Sequence, residues 1–372
     1  IVFGGRRHLA LAESLISGEA RPWPSPFDTA MRDVVALRGK KACVLASGDP
    51  FLHGVGVTLS RHVPVGATRV TPAPSAFSLA ASRLGWALQD VETVSLHGHA
   101  TDLIRPLLQP GRRILVLTSD GDGPSAVSSL LAALGYGTSR VTVLEALGGP
   151  DERVRSTTAQ GFDLKDINAL NVLGIVLESD RKERVIPLSA GLCEDFFEHD
   201  GQITKREVRA VTLSALAPRR GELLWDIGAG SGSICIEWML ADPSMRAIAI
   251  EEDPDRAARI RRNAASFGVP GLAVVEGKAP AALAGLPAPN AVFIGGGGTD
   301  DGVMDAAIEA LPSGGRLVAN AVTLEMEALL LSRHAELGGE LTRIAISRET
   351  AIGSMSGWRP AMPVTQWSWV KP

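Results

Sequence analysis

"LLWDIGAGSGSICIEW" (223–238) runs from an apolar strand through alternating glycines into an apolar, helix-like stretch, and what lies over that turn decides how the second half of the chain is read. A dinucleotide fingerprint requires G-x-G-x-x-G/A, with the backbone lying against a pyrophosphate at a helix N-terminus. Gly228 and Gly230 supply the first pair, but Ser233 holds the third position and an extra glycine, Gly232, precedes it. Asp226 ends the strand just ahead of the glycines. Beside a pyrophosphate its carboxylate would repel at close range, whereas a ligand with an ammonium and a sulfonium and no phosphate would be attracted. The D-x-G-x-G-x-G pattern therefore points to S-adenosylmethionine, with the acid holding its amino group. Glu251, at the end of "RAIAIEED" (246–253), is placed to accept both ribose hydroxyls. An acid there is shared with NAD enzymes, so Asp226 and not Glu251 discriminates. Dinucleotide binding, and a tight turn with no ligand, are the alternatives.

Around this turn the second half alternates strands and helices: "ELLWDIG" (222–228), "RAIAIEED", "LAVVEG" (272–277), "NAVFIGGGG" (290–298), "GRLVANAV" (315–322), "LTRIAIS" (341–347) and "VTQWSWV" (364–370). Seven strands fit one sheet, and the last two, with no obvious helix between them, are expected to be antiparallel neighbours. The first half reads the same way, through "IVFGG", "ACVLASG" (42–48), "TRVTPAP" (68–74), "TVSLHG" (93–98), "RILVLTSDG" (113–121), "RVTVLEALGG" (140–149) and "NVLGIVLES" (171–179). Between the halves, "SDRKERVIPLSAGLCEDFFEHDG" (179–201) is charged and broken by Pro187 and Gly191, which sets the expected domains at 1–187 and 188–372. The chain opens in a strand without Met, so a preceding element is expected.

The 372 residues, 45% of them hydrophobic, can fill two cores, and the net charge of −4 provides no global basic field for nucleic acid. Cys43, Cys193 and Cys235 form no CxxC pair, and there is neither an apolar run of spanning length nor a basic-then-apolar leader, so a cytoplasmic protein off the membrane is expected. Metal is not expected. His97 and His99 have no third ligand candidate nearby, and the acidic "SDGDGP" (119–124) is equally good turn chemistry.

Other stretches bear on the methyl acceptor. "FIGGGG" (293–298) lacks the [DN]-P-P-[YF] of amine methylation and any Pro-Cys nucleophile; its glycines leave room for a bulky, flat substrate. "ITKREVRAVTLSAL" (203–216) reads as an amphipathic helix with a Thr204–Glu207 capping box, and Lys205, Arg206 and Arg209 near its start could meet substrate carboxylates. In the first half, "VLASGDPFLHGVG" (44–56) is neither a Walker A nor a dinucleotide loop, and His53 within it is a possible substrate contact.

"SGDPFLHGVG" and "TPAPSAFSLAASRLG" (71–85) resemble the tetrapyrrole (precorrin) methylases, the class III methyltransferases of cobalamin synthesis. "TSDGDGPSAV" and "EALGGPDERV" (145–154) resemble the C5-methylating subfamily, and the stretch from "HDGQITKREV" to "GSGSICIEW" is similar to the C15-methylating, decarboxylating partner. The fusion in this order resembles the bifunctional C5,15-methyltransferases that act on a precorrin. The resemblance implies an α/β chain, a class III tetrapyrrole-methylase fold followed by a class I Rossmann-like seven-stranded methyltransferase domain, with one S-adenosylmethionine per domain and decarboxylation of the ring C acetate. It places Gly48, Asp49, Pro50, Ser75 and Ala76 in the first cofactor pocket, and Asp226, Gly228, Gly230, Gly232, Glu251, Ala279 and Gly295 in the second. His53, Thr204, Lys205, Arg206, Gly296, Gly297 and Arg316 are the expected substrate contacts. Lys278 stands where relatives often carry an acid for the adenine amine, leaving that contact to backbone groups. The family's first strand and glycine-rich loop are expected before Ile1. Catalysis is expected to rest on positioning with no obligate nucleophile, Glu237 and Glu251 being the acids considered for protonation, and a homo-oligomer is implied. An RNA methyltransferase fused to a regulatory α/β domain, a non-catalytic S-adenosylmethionine sensor and a nicotinamide dehydrogenase are the competing functions. Against the first stand the −4 charge and an aromatic content of 5%.

Overall fold

The computed structural model describes residues 1–24, 30–179 and 183–372, which form two compact units. The first comprises Ile1–His99 and Pro110–Arg184, the second Ala100–Gln109 and Val185–Pro372. Residues 180–182, within the expected interdomain connection, lie outside the described residues.

In the first unit, β1 (Val2–Gly4), β2 (Ala20–Pro22) and β3 (Cys43–Val44) form a parallel sheet in the order β2-β1-β3 with α1 (Arg6–Leu11) packed on it, and α2 (Ala30–Val35) and α3 (Val55–Leu59) occur in the same stretch of chain. The stretch 68–74, read as a strand, joins no sheet; its Ala73 amide donates to the Gly48 carbonyl at 3.1 Å. Pro72 and Pro74 remove two ladder donors there, and Ser75 instead caps α4 (Ala76–Leu84) by accepting from the Ser78 amide at 3.1 Å. A five-stranded sheet follows, built from β4 (Glu92–Ser95), β5 (Arg113–Leu117), α5 (Gly123–Ala133), β6 (Arg140–Glu145), β7 (Arg153–Thr158) and β8 (Asn171–Val176). Its order is β4-β5-β8-β6-β7, parallel only between β4 and β5. β7 was not legible as a strand because it is a polar edge, held by Arg153 and Arg155 on the buried Glu145 of β6.

The second unit runs α6 (Arg206–Leu216), β9 (Leu223–Ile227), α7 (Ser233–Leu240), β10 (Arg246–Glu251), α8 (Pro254–Phe267), β11 (Ala273–Glu276), β12 (Ala291–Ile294), α9 (Val303–Ala310), β13 (Arg316–Ala321), α10 (Leu324–Leu337), β14 (Glu340–Ile344), β15 (Ser347–Ile352), β16 (Met355–Pro360) and β17 (Val364–Val370). Seven of these strands make one sheet in the order β11-β10-β9-β12-β13-β17-β14. β9 to β13 are parallel, and β17 inserts antiparallel between β13 and β14; that β14 and β17 are antiparallel neighbours was expected from the lack of a helix between them, the insertion beside β13 was not. The segment between β14 and β17 is more than a loop: β15 and β16 pair as a separate hairpin.

The local reasons are clear. α7 is apolar apart from Ser233 and Glu237 and is buried from Ser233 to Trp238, as a helix so rich in apolar residues must be. α8 starts on Pro254 behind Asp253, whose carboxylate caps the amides of Asp255 and Arg256 at 2.8 and 3.1 Å, and it ends at Gly268. Along β9, Leu223, Trp225 and Ile227 face the core shared with Leu317 and Trp367, while Leu224 faces the core beneath α6, α7 and α8. Asp226 points to that second face, where alternation calls for an apolar side chain. Among the described residues no helix is long and apolar enough to cross a membrane.

Candidate active site

Strand order reverses beside β9, whose neighbours are β10 and β12, and the loops leaving these strands open a crevice at their carboxyl ends. There lies a cavity of about 700 Å³, a size suited to a small-molecule ligand. Its floor is stitched by backbone. The amides of Gly228 and Ala229 both donate to the Ile250 carbonyl, at 3.0 and 3.1 Å, and that of Gly295 donates to Ile227 at 3.1 Å. Gly228 has φ +71°, and a Cβ on it would stand 2.7 Å from the carbonyl oxygen of Gly296, so the turn after β9 and the turn after β12 meet backbone to backbone.

Asp226 is 1% exposed, lines this cavity, and meets no hydrogen-bond partner of good geometry at either oxygen. Burial pushes its carboxyl up to about 7 and Glu251 adds to the shift, against the opposing pull of the Cys235 thiol and amide. A buried acid left without a partner is costly unless something neutralises it. Ser231, in the same turn, has an equally buried and unpartnered hydroxyl facing the cavity. Glu251, at the end of β10, accepts from the Gly230 amide at 2.8 Å and the Asp253 amide at 3.1 Å. One lone pair on each of its oxygens stays available. Gly232 starts α7 against Ile260 of α8.

The arrangement fits S-adenosylmethionine on the chemistry of its groups. Asp226 and Ser231 offer an unpartnered acceptor and a hydroxyl for an amino acid end, Glu251 offers acceptors for vicinal hydroxyls, and nothing in the turn offers a cationic site for phosphate. Ala279, Gly296 and Gly297 also line the cavity, with Thr204 and Lys205 from the approach to α6. Lys278 pairs with Asp300, from the loop after β12, at 3.0 Å, and both line the cavity.

Three charges read as substrate contacts or acids are structural. Arg316 is 5% exposed; its Nε donates to the Leu216 carbonyl at 2.6 Å and its other nitrogens grip Glu222. Arg209 and Glu237 pair at 2.5 Å with both side chains out of solvent. Glu237 also accepts from the amides of Gly191 and Leu192 at 2.6 and 3.0 Å, and Arg209 donates to the carbonyls of Thr204 and Leu192. A carboxylate so saturated is not poised to protonate a substrate. Arg206 is exposed on α6 and is not part of the cavity wall. The capping box does not form: Lys205 is the N-cap with no side-chain bond, and Glu207 instead binds Arg348.

In the first unit, the loop after β3 turns at Gly48, φ +57°, where a Cβ would come within 2.9 Å of the Pro74 carbonyl oxygen and 3.1 Å of the Ser75 Cα. Gly48 therefore lies against the start of α4 at Ser75, whereas Pro50 packs on Gly54 and Gly56 at the start of α3; among the described residues nothing brings Asp49 or Pro50 to Ser75 or Ala76 directly. Asp49 accepts from the Phe51 amide at 2.8 Å, and His53, φ +54°, sets its ring edge-on to Phe77. One neighbour escaped sequence reasoning: the imidazole of His8 lies 2.6 Å from the Ser47 hydroxyl, and burial, with Arg7, lowers its pKa. The Asp120 carboxylate caps α5 through the amides of Asp122 and Gly123.

Ser231, Asn320, Arg348 and Asp300 are cavity residues that sequence reasoning missed. Only Ser231 carried a local signal, as the one polar side chain among the glycines of 228–232.

Comparison with known proteins bears on both units. Residues 195–371 match the family model described as "Precorrin methyltransferase domain", and residues 28–163 that described as "Tetrapyrrole (Corrin/Porphyrin) Methylases". A precorrin-6Y C(5,15)-methyltransferase [decarboxylating] of Sinorhizobium sp is 65% identical over 371 residues, covering 100% of this chain and 90% of its own. The protein of the same name from Mycobacterium tuberculosis (strain ATCC 25618 / H37Rv) is 41% identical over 374 residues, covering 100% and 93%. A probable cobalt-precorrin-6B C(15)-methyltransferase (decarboxylating) from Pyrobaculum calidifontis is 36% identical over 181 residues, 47% of this chain and 92% of its own.

Proposed function

The chain belongs to the precorrin-6Y C(5,15)-methyltransferase (decarboxylating) family, and from that premise we propose how its two units share the work. It is an S-adenosylmethionine-dependent C-methyltransferase of cobalamin biosynthesis that decarboxylates its precorrin substrate. The first unit, within the expected 1–187, methylates C5; the second, the expected 188–372 together with Val185–Pro187 and Ala100–Gln109, methylates C15 and removes the ring C acetate carboxyl. The half-length relative whose name carries only the C15 reaction supports this division. Each unit binds one methyl donor, the first through Gly48, Asp49, Pro50, Ser75 and Ala76, with His53 toward the substrate.

Asp226 carries the reading of the second unit: buried, unpartnered and facing the cavity, it asks for a cation. When bound, S-adenosylmethionine supplies an electrophilic methyl on a positively charged sulfur. Asp226 takes its ammonium, Glu251 its ribose hydroxyls, and the backbone at Gly228, Gly230 and Gly295 sets the distance of approach. Lys205, which has no carboxylate partner among the described residues, neutralises a substrate carboxylate. The bare turn at Gly296 and Gly297 admits the flat macrocycle. Alignment of acceptor and methyl contributes most of the acceleration, on the order of 7–11 kcal/mol at its upper range. No side chain need act as a nucleophile.

The three cysteines are free, which supports a reducing, cytoplasmic setting, and the family resemblance supports self-association. The decisive experiment feeds the full chain precorrin and methyl-labelled donor and locates the label by NMR. Asp226→Asn should lose label at C15 and keep it at C5; label retained at both carbons at the wild-type rate would refute the assignment.

A further inference from the structure

The sheet order splits the cavity mouth in two. β11, β10 and β9 bring Ala279, Glu251 and Asp226 to one side of the switch point, and β12, β13, β17 and β14 form the other. Beyond the loop after β12 this second wall is apolar, with Val322, Ile344, Ile346, Met362 and Val364. Two polar side chains interrupt it, Asn320 and Arg348. Arg348 is engaged by Glu207, with Glu194 at 3.7 Å. Asn320 is therefore the uncharged polar group that the acceptor wall presents.

Its carboxamide is fixed from behind. Asn320 on β13 stands opposite Gln366 on β17, and the Gln366 Nε2 donates to the Asn320 Oδ1 at 2.9 Å and to the Thr212 Oγ1 at 3.0 Å. The Asn320 Nδ2 donates to the same Thr212 oxygen at 3.0 Å. Thr212 is wholly buried and Gln366 is 3% exposed. Both Gln366 amide hydrogens are thus used, and turning the Asn320 amide over would set donor against donor. One N–H and one lone pair of Asn320 are left, on a residue that lines the cavity.

We propose that this N–H binds the substrate carboxylate that departs as CO2, an inference that rests on the functional reading above. In that step the bond between the side-chain carbon and the carboxyl carbon breaks, its electron pair passes into the conjugated macrocycle, and the carbon left behind takes a proton from water; nothing is oxidised or reduced overall. A guanidinium or ammonium at this point would stabilise the carboxylate more than the transition state, in which its charge is leaving. A neutral amide orients the group without that penalty. The surrounding apolar wall removes water that would otherwise stabilise the anion.

Asn320→Ala and Asn320→Asp, made in the full chain, test the proposal against a purely structural role. Asp at 320 can still accept from Gln366 and from the Thr212 hydroxyl, and it sets a like charge against the departing group. S-adenosylhomocysteine affinity by calorimetry reports the donor side, while CO2 released per turnover and the KM for precorrin report the acceptor side. CO2 release should fall about tenfold in Asn320→Ala and further in Asn320→Asp, with the S-adenosylhomocysteine Kd within about twofold of wild type. Wild-type CO2 release in both variants would overturn the proposal, and so would equal loss of donor binding and CO2 release, which would make Asn320 structural. If the unchanged chain released no CO2 from precorrin, the functional reading itself would fall and the proposal with it.

Discussion

Gly228 and Gly296 lie so close that a methyl group on the first would sit 2.7 Å from the carbonyl oxygen of the second. Two glycine motifs that look independent in the sequence are the two sides of one backbone contact. Gly228→Ala should therefore cost more than an αL strain of about 1–3 kcal/mol alone, because the clash displaces the turn that carries Gly295 to Gly297. Donor affinity in the second unit should drop more than tenfold, measured by calorimetry on the folded variant.

Donor binding should follow the ionisation of Asp226. Burial holds that carboxyl near 7 in the free protein, and an ammonium favours the charged form, so binding below pH 7 must release a proton. Affinity should rise about tenfold per pH unit up to roughly neutrality and level off above it. Calorimetry in two buffers of different ionisation heat, at pH 6 and pH 8, reads the proton directly.

The same acid weakens the empty protein. Its folded-state pKa lies above the unfolded value of 3.8, so its contribution to stability is greatest below that value and is lost as pH rises toward 7. Asp226→Asn should stabilise the ligand-free protein increasingly between pH 4 and pH 8, by on the order of 2–4 kcal/mol at the limit. Denaturant midpoints across that range give the test; a constant difference would contradict it.

Arg209 and Glu237 should behave as a buried pair whose halves cannot be removed singly. Arg209→Met or Glu237→Leu is expected to cost about 3–5 kcal/mol, since each strands a charge out of solvent. The double variant should recover part of that loss, which a double-mutant cycle in urea would measure.

Lys205 and Arg316 should separate cleanly. Lys205→Ala should raise the precorrin KM in a salt-dependent manner and leave the unfolding midpoint almost unmoved. Arg316→Ala should lower the midpoint, because the Leu216 carbonyl loses its side-chain donor and Glu222 keeps, among the described residues, only the Arg219 amide.

What the sequence disclosed was local. Asp226, the glycine turn and Glu251 sit within two strand-turn units, and their spacing alone brings them to one crevice. The seven-stranded sheet followed from alternation, and its antiparallel end from the lack of a helix between the last two strands. Charges were misread where their partners lie far along the chain: Arg316 looks the same in a string of letters whether it faces a ligand or grips Glu222. The Thr204–Glu207 signature gave way to Arg348, more than a hundred residues on. Asn320 had no signal, since its significance depends on β17 returning antiparallel beside β13 and on α6 setting Thr212 behind both. The β15–β16 hairpin was missed because its residues, from Ser347 to Pro360, mix charges, glycines and single apolar side chains without alternation.

The ten residues from Ala100 to Gln109 are built into the second unit although they precede most of the first unit's sheet. Pro106 and Asp102 fill the space beneath Gly268, where even a Cβ would stand 2.4 Å from the proline ring. The polypeptide thus crosses between the units three times. A single scission near residue 185 would carry that plug away with the upstream fragment and uncover the end of α8 on the downstream one, and grafting the decapeptide onto the downstream piece would cover it again.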